Sequence, residues 1–162
     1  MNELNLQPLT PAAFAPYGEV LDLEAPAART INGGTSGRAD LPAGLDLARE
    51  GGRPVLAVFH ARAQAARGPW HLLERHRLGS QTFVPLDGTP WVLLVAAAGD
   101  TPRPGTLAAF AAGPRQGVTL RAGTWHHPLI ALRAGRFLVL ERGAAAQDCE
   151  VVRLEVRVHG AG

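Results

Sequence analysis

Short apolar runs, each closed off by turn formers, set the tightest limit on what this chain can fold into. The runs are Val55 to Phe59, Thr82 to Leu86, Trp91 to Ala96, Gly117 to Leu120, Leu129 to Leu132, Phe137 to Leu140 and Val151 to Val158. They are rich in β-branched and aromatic side chains, which suit a pleated, half-buried surface. Between them stand Asp87-Gly88-Thr89-Pro90, Gly99-Asp100-Thr101-Pro102, Gly113-Pro114, Ala122-Gly123 and Ala134-Gly135. Strand signals at intervals of roughly 8 to 12 residues predict an all-β sandwich or barrel. In the last run Val152, Leu154, Val156 and Val158 alternate with Arg153, Glu155 and Arg157, so one face should meet a core and the other water. A parallel α/β sheet would need recurring helices of about a dozen residues, which this chain does not offer. One short N-terminal helix is expected at Thr10-Pro11-Ala12-Ala13-Phe14, ending before Gly18. There threonine can cap the helix and proline suits its first position. The Gly/Ala/Pro-rich segment Ala25 to Gly52 reads as a long loop with some strand. No repeat or linker divides the chain, so residues 1–162 are expected to form a single domain.

Composition removes several classes of function. All sixteen basic residues are arginine and they are dispersed, with a net charge of only +2. No stripe of positive charge is available to track a phosphate backbone, so a nucleic-acid partner is not expected. The absence of lysine excludes Schiff-base chemistry and a P-loop. Serine occurs only at Ser36 and Ser80, neither within G-x-S-x-G, which excludes an elbow-type serine hydrolase. No stretch approaches the ~20 apolar residues of a membrane span. The start, Met1-Asn2-Glu3-Leu4, shows no secretory signal. Cys149 is the one cysteine, so no internal disulfide framework exists and a reducing, cytoplasmic location is expected. With no recognisable base nearby, Cys149 reads as a small buried side chain and not as a nucleophile.

The chemistry concentrates in two stretches. All but one of the six histidines lie between positions 60 and 127. In Trp70-His71-Leu72-Leu73-Glu74-Arg75-His76-Arg77-Leu78-Gly79-Ser80-Gln81, residues Glu74 and His76 are two apart and share one face of a strand. Gln81 follows a turn at Leu78-Gly79, and a returning strand could bring it to the same face. The second stretch is Gly123-Thr124-Trp125-His126-His127-Pro128. His126 and His127 alternate on an extended strand, so only one should face inward. Trp125, Phe83 and Trp91 read as core. Glu, two His and an amide oxygen can hold a divalent ion, and the mixed N/O set suits Ni, Mn, Fe(II) or Zn. The same side chains could instead bind a substrate directly by hydrogen bonds.

The spacing Glu74-x-His76-x4-Gln81-x6-Gly88 resembles the first cupin motif, with Glu in place of its first histidine and Gln in place of its glutamate. Gly123-x-x-His126 resembles the end of the second. More narrowly, Leu73-Glu-Arg-His-Arg-Leu-Gly-Ser-Gln-Thr-Phe-Val-Pro-Leu-Asp-Gly88 and Gly123-Thr-Trp-His-His-Pro-Leu129 resemble the signature stretches of the ureidoglycolate lyase family. Phe14-Ala-Pro-Tyr-Gly18, Ile31-Asn-Gly-Gly34, Ala109-Phe110 and Glu141-Arg-Gly143 support the likeness, which runs from about residue 4 to 154. It implies a cupin-like β-barrel, or double-stranded β-helix, that cleaves (S)-ureidoglycolate to glyoxylate and urea in purine catabolism. No organic cofactor is implied, and nickel is the ion it suggests.

Under this resemblance Glu74, His76 and His126 are the catalytic candidates, and with Gln81 the metal ligands. Asn32, Arg38, Gln81 and His127 are the substrate-binding candidates; Arg38 and Arg75 compete to hold the substrate carboxylate, although Arg75 alternates away from Glu74. Phe59-His60-Ala61 departs from an arginine expected at the middle position, which leaves a charge contact in doubt or moves it to Arg62. Exposed strand edges and the resemblance imply a homodimer acting on a small molecule. Three rival readings remain open: another metal-dependent cupin enzyme, a non-catalytic small-molecule-binding cupin, and a hydrolase releasing ammonia in place of urea.

Overall fold

The computed structural model describes residues 1–160. Its strands, in chain order, are β1 (Asn2–Pro8), β2 (Gly18–Asp22), β3 (Arg29–Ile31), β4 (Ser36–Arg38), β5 (Arg53–Ala61), β6 (Trp70–His76) and β7 (Gln81–Pro85). They continue as β8 (Trp91–Ala96), β9 (Ala108–Ala112), β10 (Gln116–Leu120), β11 (Trp125–His126), β12 (Ile130–Ala131), β13 (Gly135–Gly143) and β14 (Cys149–His159). The one α-helix among the described residues, α1 (Pro11–Phe14), begins as expected: Thr10 Oγ1 accepts from the Ala13 amide at 3.2 Å and proline occupies the first turn. Each of the seven apolar runs overlaps a strand. The segment 25–52 is mostly irregular, with the β3–β4 hairpin and two 3₁₀ turns.

The larger sheet has the order β11-β6-β14-β1-β9-β8-β12, and β11 also pairs with β8, so most of the sheet closes into a ring. The smaller sheet, β2-β10-β7-β13-β5, is antiparallel throughout and packs against it. Strand β8 shows why the two layers cohere. Trp91, Leu93 and Val95 join the core between the sheets, while Val92, Leu94 and Ala96 join a second core inside the ring. A strand buried on both faces has no reason to alternate, hence its unbroken apolar sequence Trp-Val-Leu-Leu-Val-Ala. Trp91, Trp125 and Phe83 are core residues, as their sequence context suggested. The result is the all-β, cupin-like architecture that the sequence implied.

The side-chain alternation of β6, β7, β11 and β13 positions the site. On β6 and β11, Leu73 and Trp125 turn into the ring core, so their neighbours Glu74 and His126 turn toward the other sheet. On β7 and β13, Phe83 and Val139 enter the core between sheets, so Gln81 and Glu141, two residues away, point the same way. The two sheets therefore present polar side chains to each other beyond the end of a shared apolar core.

Candidate active site

Glu74 and His126 are direct cross-strand partners in the β6–β11 register. His76 follows two residues after Glu74 on the same face. The turn before β11 is tied to the end of β6: the Gly123 amide donates to His76 O at 2.7 Å. Gly123 sits at φ +84°, a left-handed conformation that glycine reaches without the penalty of a side chain. One ligand atom from each of Glu74, His76 and His126 falls within 4.8 Å of the others.

The hydrogen bonds fix how these rings are used. His126 Nδ1 lies 3.0 Å from Thr124 O; a carbonyl only accepts, so Nδ1 carries the proton and Nε2 presents its lone pair. That Nε2 is buried, has no hydrogen-bond partner among the described residues, and lies 3.5 Å from Glu74 Oε1. A bare imidazole nitrogen facing a carboxylate oxygen at that distance calls for a proton or a cation between them. His76 Nε2 is likewise buried without a partner, while its Nδ1 faces Asp148 Oδ1 at 3.7 Å. The arrangement fits a divalent ion, with the Thr124 carbonyl orienting the His126 ring.

Electrostatics agree with this reading. Burial pushes His76 below the ordinary histidine range, and the neighbouring His126 adds to the effect. A neutral ring is the form that ligates. Burial opposes ionisation of Glu74, but the approach of His126, with His76 and His127 nearby, outweighs it and holds the carboxyl below its usual range. His127 is also pushed down by burial; its Nδ1 donates to Pro128 O at 2.7 Å and its ring packs against Trp70.

Gln81 arrives by a different route from the one its sequence position suggested. It does not return beside β6 but stands on β7 in the opposite sheet, facing the triad's layer across the core. The two halves of the first motif thus come from two sheets. Gln81 Nε2 donates to Glu141 Oε2 at 2.8 Å, which leaves its buried Oε1 without a partner and suited to serve as a further oxygen donor.

Other candidates lie elsewhere. Asn32 and Arg38 are on the exposed β3–β4 hairpin and its turn, and Arg38 Nε donates to Asp40 at 2.7 Å. Arg75 is on the reverse face: its guanidinium stacks 4.6 Å from the Trp125 ring centroid and pairs with Glu150 at 2.6 Å. His71, His60 and Arg62 are exposed. Cys149 corrects one expectation, because it is exposed and not buried. It lies opposite His76 in the β6–β14 register, on the same face as His76 and Glu74, with Sγ 3.9 Å from Glu74 Oε2. Partial desolvation beside the strand and the negative Glu74 push it above the usual cysteine range, so it remains a thiol and a poor nucleophile.

Sequence reasoning gave no role to Glu141, Arg142 or Asp148, which join His76, Ser80 and Cys149 around a cavity of about 400 Å³. Asp148 lies in the turn between β13 and β14, where its Oδ2 accepts from the Leu78 amide at 2.8 Å. The one sequence signal pointing there was Glu141-Arg142-Gly143, which carried no chemistry by itself.

The sequence pattern of the ureidoglycolate lyase family matches residues 1–159. The chain belongs to that family. It is 42% identical over 151 residues to a ureidoglycolate lyase of Azotobacter vinelandii (strain DJ / ATCC BAA-1303), covering 93% of this chain and 91% of that protein. A ureidoglycolate lyase of Burkholderia mallei (strain NCTC 10229) is 43% identical over 149 residues, covering 91% and 87% respectively. One from Burkholderia cepacia is 42% identical over 154 residues, covering 94% and 86%. No helix among the described residues is long and apolar enough to cross a membrane.

Proposed function

We propose that this chain is a ureidoglycolate lyase, a carbon–nitrogen lyase of the amidine type that splits (S)-ureidoglycolate into glyoxylate and urea. The observation that carries the reading is the convergence of Glu74, His76 and His126, with both histidine Nε2 atoms buried and lacking partners among the described residues, in a chain of this family. The reaction needs no water and no covalent intermediate. The hydroxyl proton leaves, its oxygen becomes the aldehyde carbonyl, and the electron pair of the C–N bond goes to the urea nitrogen, which takes up a proton. Glu74, His76 and His126 form the group through which that proton passes, in a partly dry site where charge–charge interactions are strengthened.

A divalent ion, nickel on the family likeness, would be held by Glu74, His76 and His126 with Gln81 Oε1. When bound it would stabilise the negative charge that develops on the hydroxyl oxygen. The Thr124 carbonyl keeps His126 Nε2 bare. We further read the protein as a cytoplasmic homodimer. The single cysteine and the exposed Leu56 and Val58 on edge strand β5, at 68% and 47% exposure, support this.

The test is to incubate the purified protein with (S)-ureidoglycolate, before and after chelation and with divalent ions restored, and to measure urea, ammonia and glyoxylate. Equimolar urea and glyoxylate are expected. Ammonia in place of urea would turn the assignment to the hydrolase, and no product above the spontaneous background with any divalent ion would remove it.

A further inference from the structure

The cavity beside the triad has a polarity that selects one end of such a substrate. Its charged lining consists of Glu141, Arg142 and Asp148, one cation against two anions, leaving His76 aside. A carboxylate entering it would meet two like charges. A ureido group would not: it is neutral, with three N–H donors and one carbonyl acceptor. Each lining charge has unused capacity for such a partner. Glu141 Oε2 accepts from Gln81 Nε2 at 2.8 Å, and its Oε1 receives no donor among the described residues. Asp148 Oδ2 accepts from the Leu78 amide at 2.8 Å, while Oδ1 has only His76 Nδ1 at 3.7 Å, beyond hydrogen-bond reach.

Arg142 is pinned from behind. Its side chain is 4% exposed, Nε donates to Arg49 O at 2.8 Å and Nη2 to Glu50 O at 3.2 Å. Among the described residues its Nη1 reaches only Asp148, at 4.0 Å. A guanidinium fixed by two backbone carbonyls, with one amino group left over, is a preorganised donor for a carbonyl oxygen.

We propose that this cavity is the ureido subsite, with Glu141 and Asp148 accepting from the ureido N–H groups and Arg142 Nη1 donating to the ureido carbonyl. The inference rests on the lyase reading above. It fixes the direction of the substrate: the hydroxyacid half lies at Glu74, His76 and His126, and the leaving group lies over His76 toward the turn between β13 and β14. The subsite then selects against 2-hydroxy acids whose substituent lacks N–H donors.

The test uses two anionic probes that share an oxo-carboxylate end, oxalurate, which carries a ureido group, and oxamate, which does not. Titration calorimetry on the purified chain should show oxalurate binding about tenfold or more tighter, the scale of one hydrogen bond to a charged group. In Glu141→Gln and in Asp148→Asn that preference should shrink severalfold, while oxamate affinity stays within about threefold. Equal binding of the two probes by the wild type would overturn the proposal, and needs no variant to fold. Parallel loss of both probes in variants with an unchanged unfolding midpoint would also overturn it. Turnover of ureidoglycolate by the wild type is scored separately, so a working lyase without probe discrimination refutes the subsite and leaves the activity standing.

Discussion

His126 answers to two partners at once. Its Nδ1 is committed to the Thr124 carbonyl, and its Nε2, buried and unpartnered, is left for the site. The ring is only 3% exposed, and its Nε2 is aimed at Glu74 and not at the apolar core. His126→Ala is therefore expected to lower turnover by at least ~100-fold, the scale of a lost acid–base or ion-holding group, with the circular dichroism spectrum intact. Retained activity would remove His126 from the site. Gly79 makes the opposite kind of residue-level case. A Cβ there would stand 2.5 Å from Arg142 Cβ and 3.0 Å from Arg142 Cδ. Gly79→Ala should cost about 1–3 kcal/mol in denaturant unfolding, and it should weaken oxalurate more than oxamate by displacing the guanidinium.

At the scale of elements, the turn after β7 is held by charge. Asp87 Oδ2 accepts from Arg136 N at 2.8 Å, and Oδ1 accepts from Arg136 Nη2 at 2.7 Å. These bonds draw the Asp87 carboxyl down to about 2 from its ordinary 3.8. A depressed carboxyl stabilises the fold above its unfolded value, and that contribution is lost as pH falls through the folded one. The stability gap between wild type and Asp87→Asn should therefore be constant above about pH 4 and close as pH approaches 2. Thermal unfolding followed across that range checks it, and a gap that persists at pH 2 would contradict the linkage.

The elements were unequally visible in the sequence. β8 and β14 stood out because a doubly buried run and a clean alternation are both strong signals. β9 did not, because Ala108-Ala109-Phe110-Ala111-Ala112 is built mostly from a residue with little strand preference. β1 has only Leu4 and Leu6 to mark its inner face. In the site, Glu74, His76 and His126 were readable because two come from one strand and the third carries a motif spacing. Glu141 and Asp148 were not, since they reach the cavity through sheet pairing and a turn, which leave no local pattern. Asn32 and Arg38 drew attention by residue type, but the hairpin that carries them is exposed and Arg38 is engaged by Asp40.

For the whole molecule, the outer face of β5 is the least finished surface. Leu56 and Val58 point away from the core at a sheet edge, and a second copy covering them would remove apolar area from water. If the homodimer forms there, Leu56→Arg should shift the mass measured by light scattering from dimer to monomer, with little change in the unfolding of the monomer. A wild-type chain that runs as a monomer at micromolar concentration would refute the arrangement.

The two-residue strand β11 joins β6 and β8 and so completes the ring. With one register pair to β6 and two to β8, it holds its place only once both of those strands are set. His126 is therefore delivered to Glu74 only when the rest of the fold is in place. A ligand gripping that triad has nothing to grip in a half-folded chain. It acts as a latch on the finished protein, slowing the protein's loss without hastening its formation.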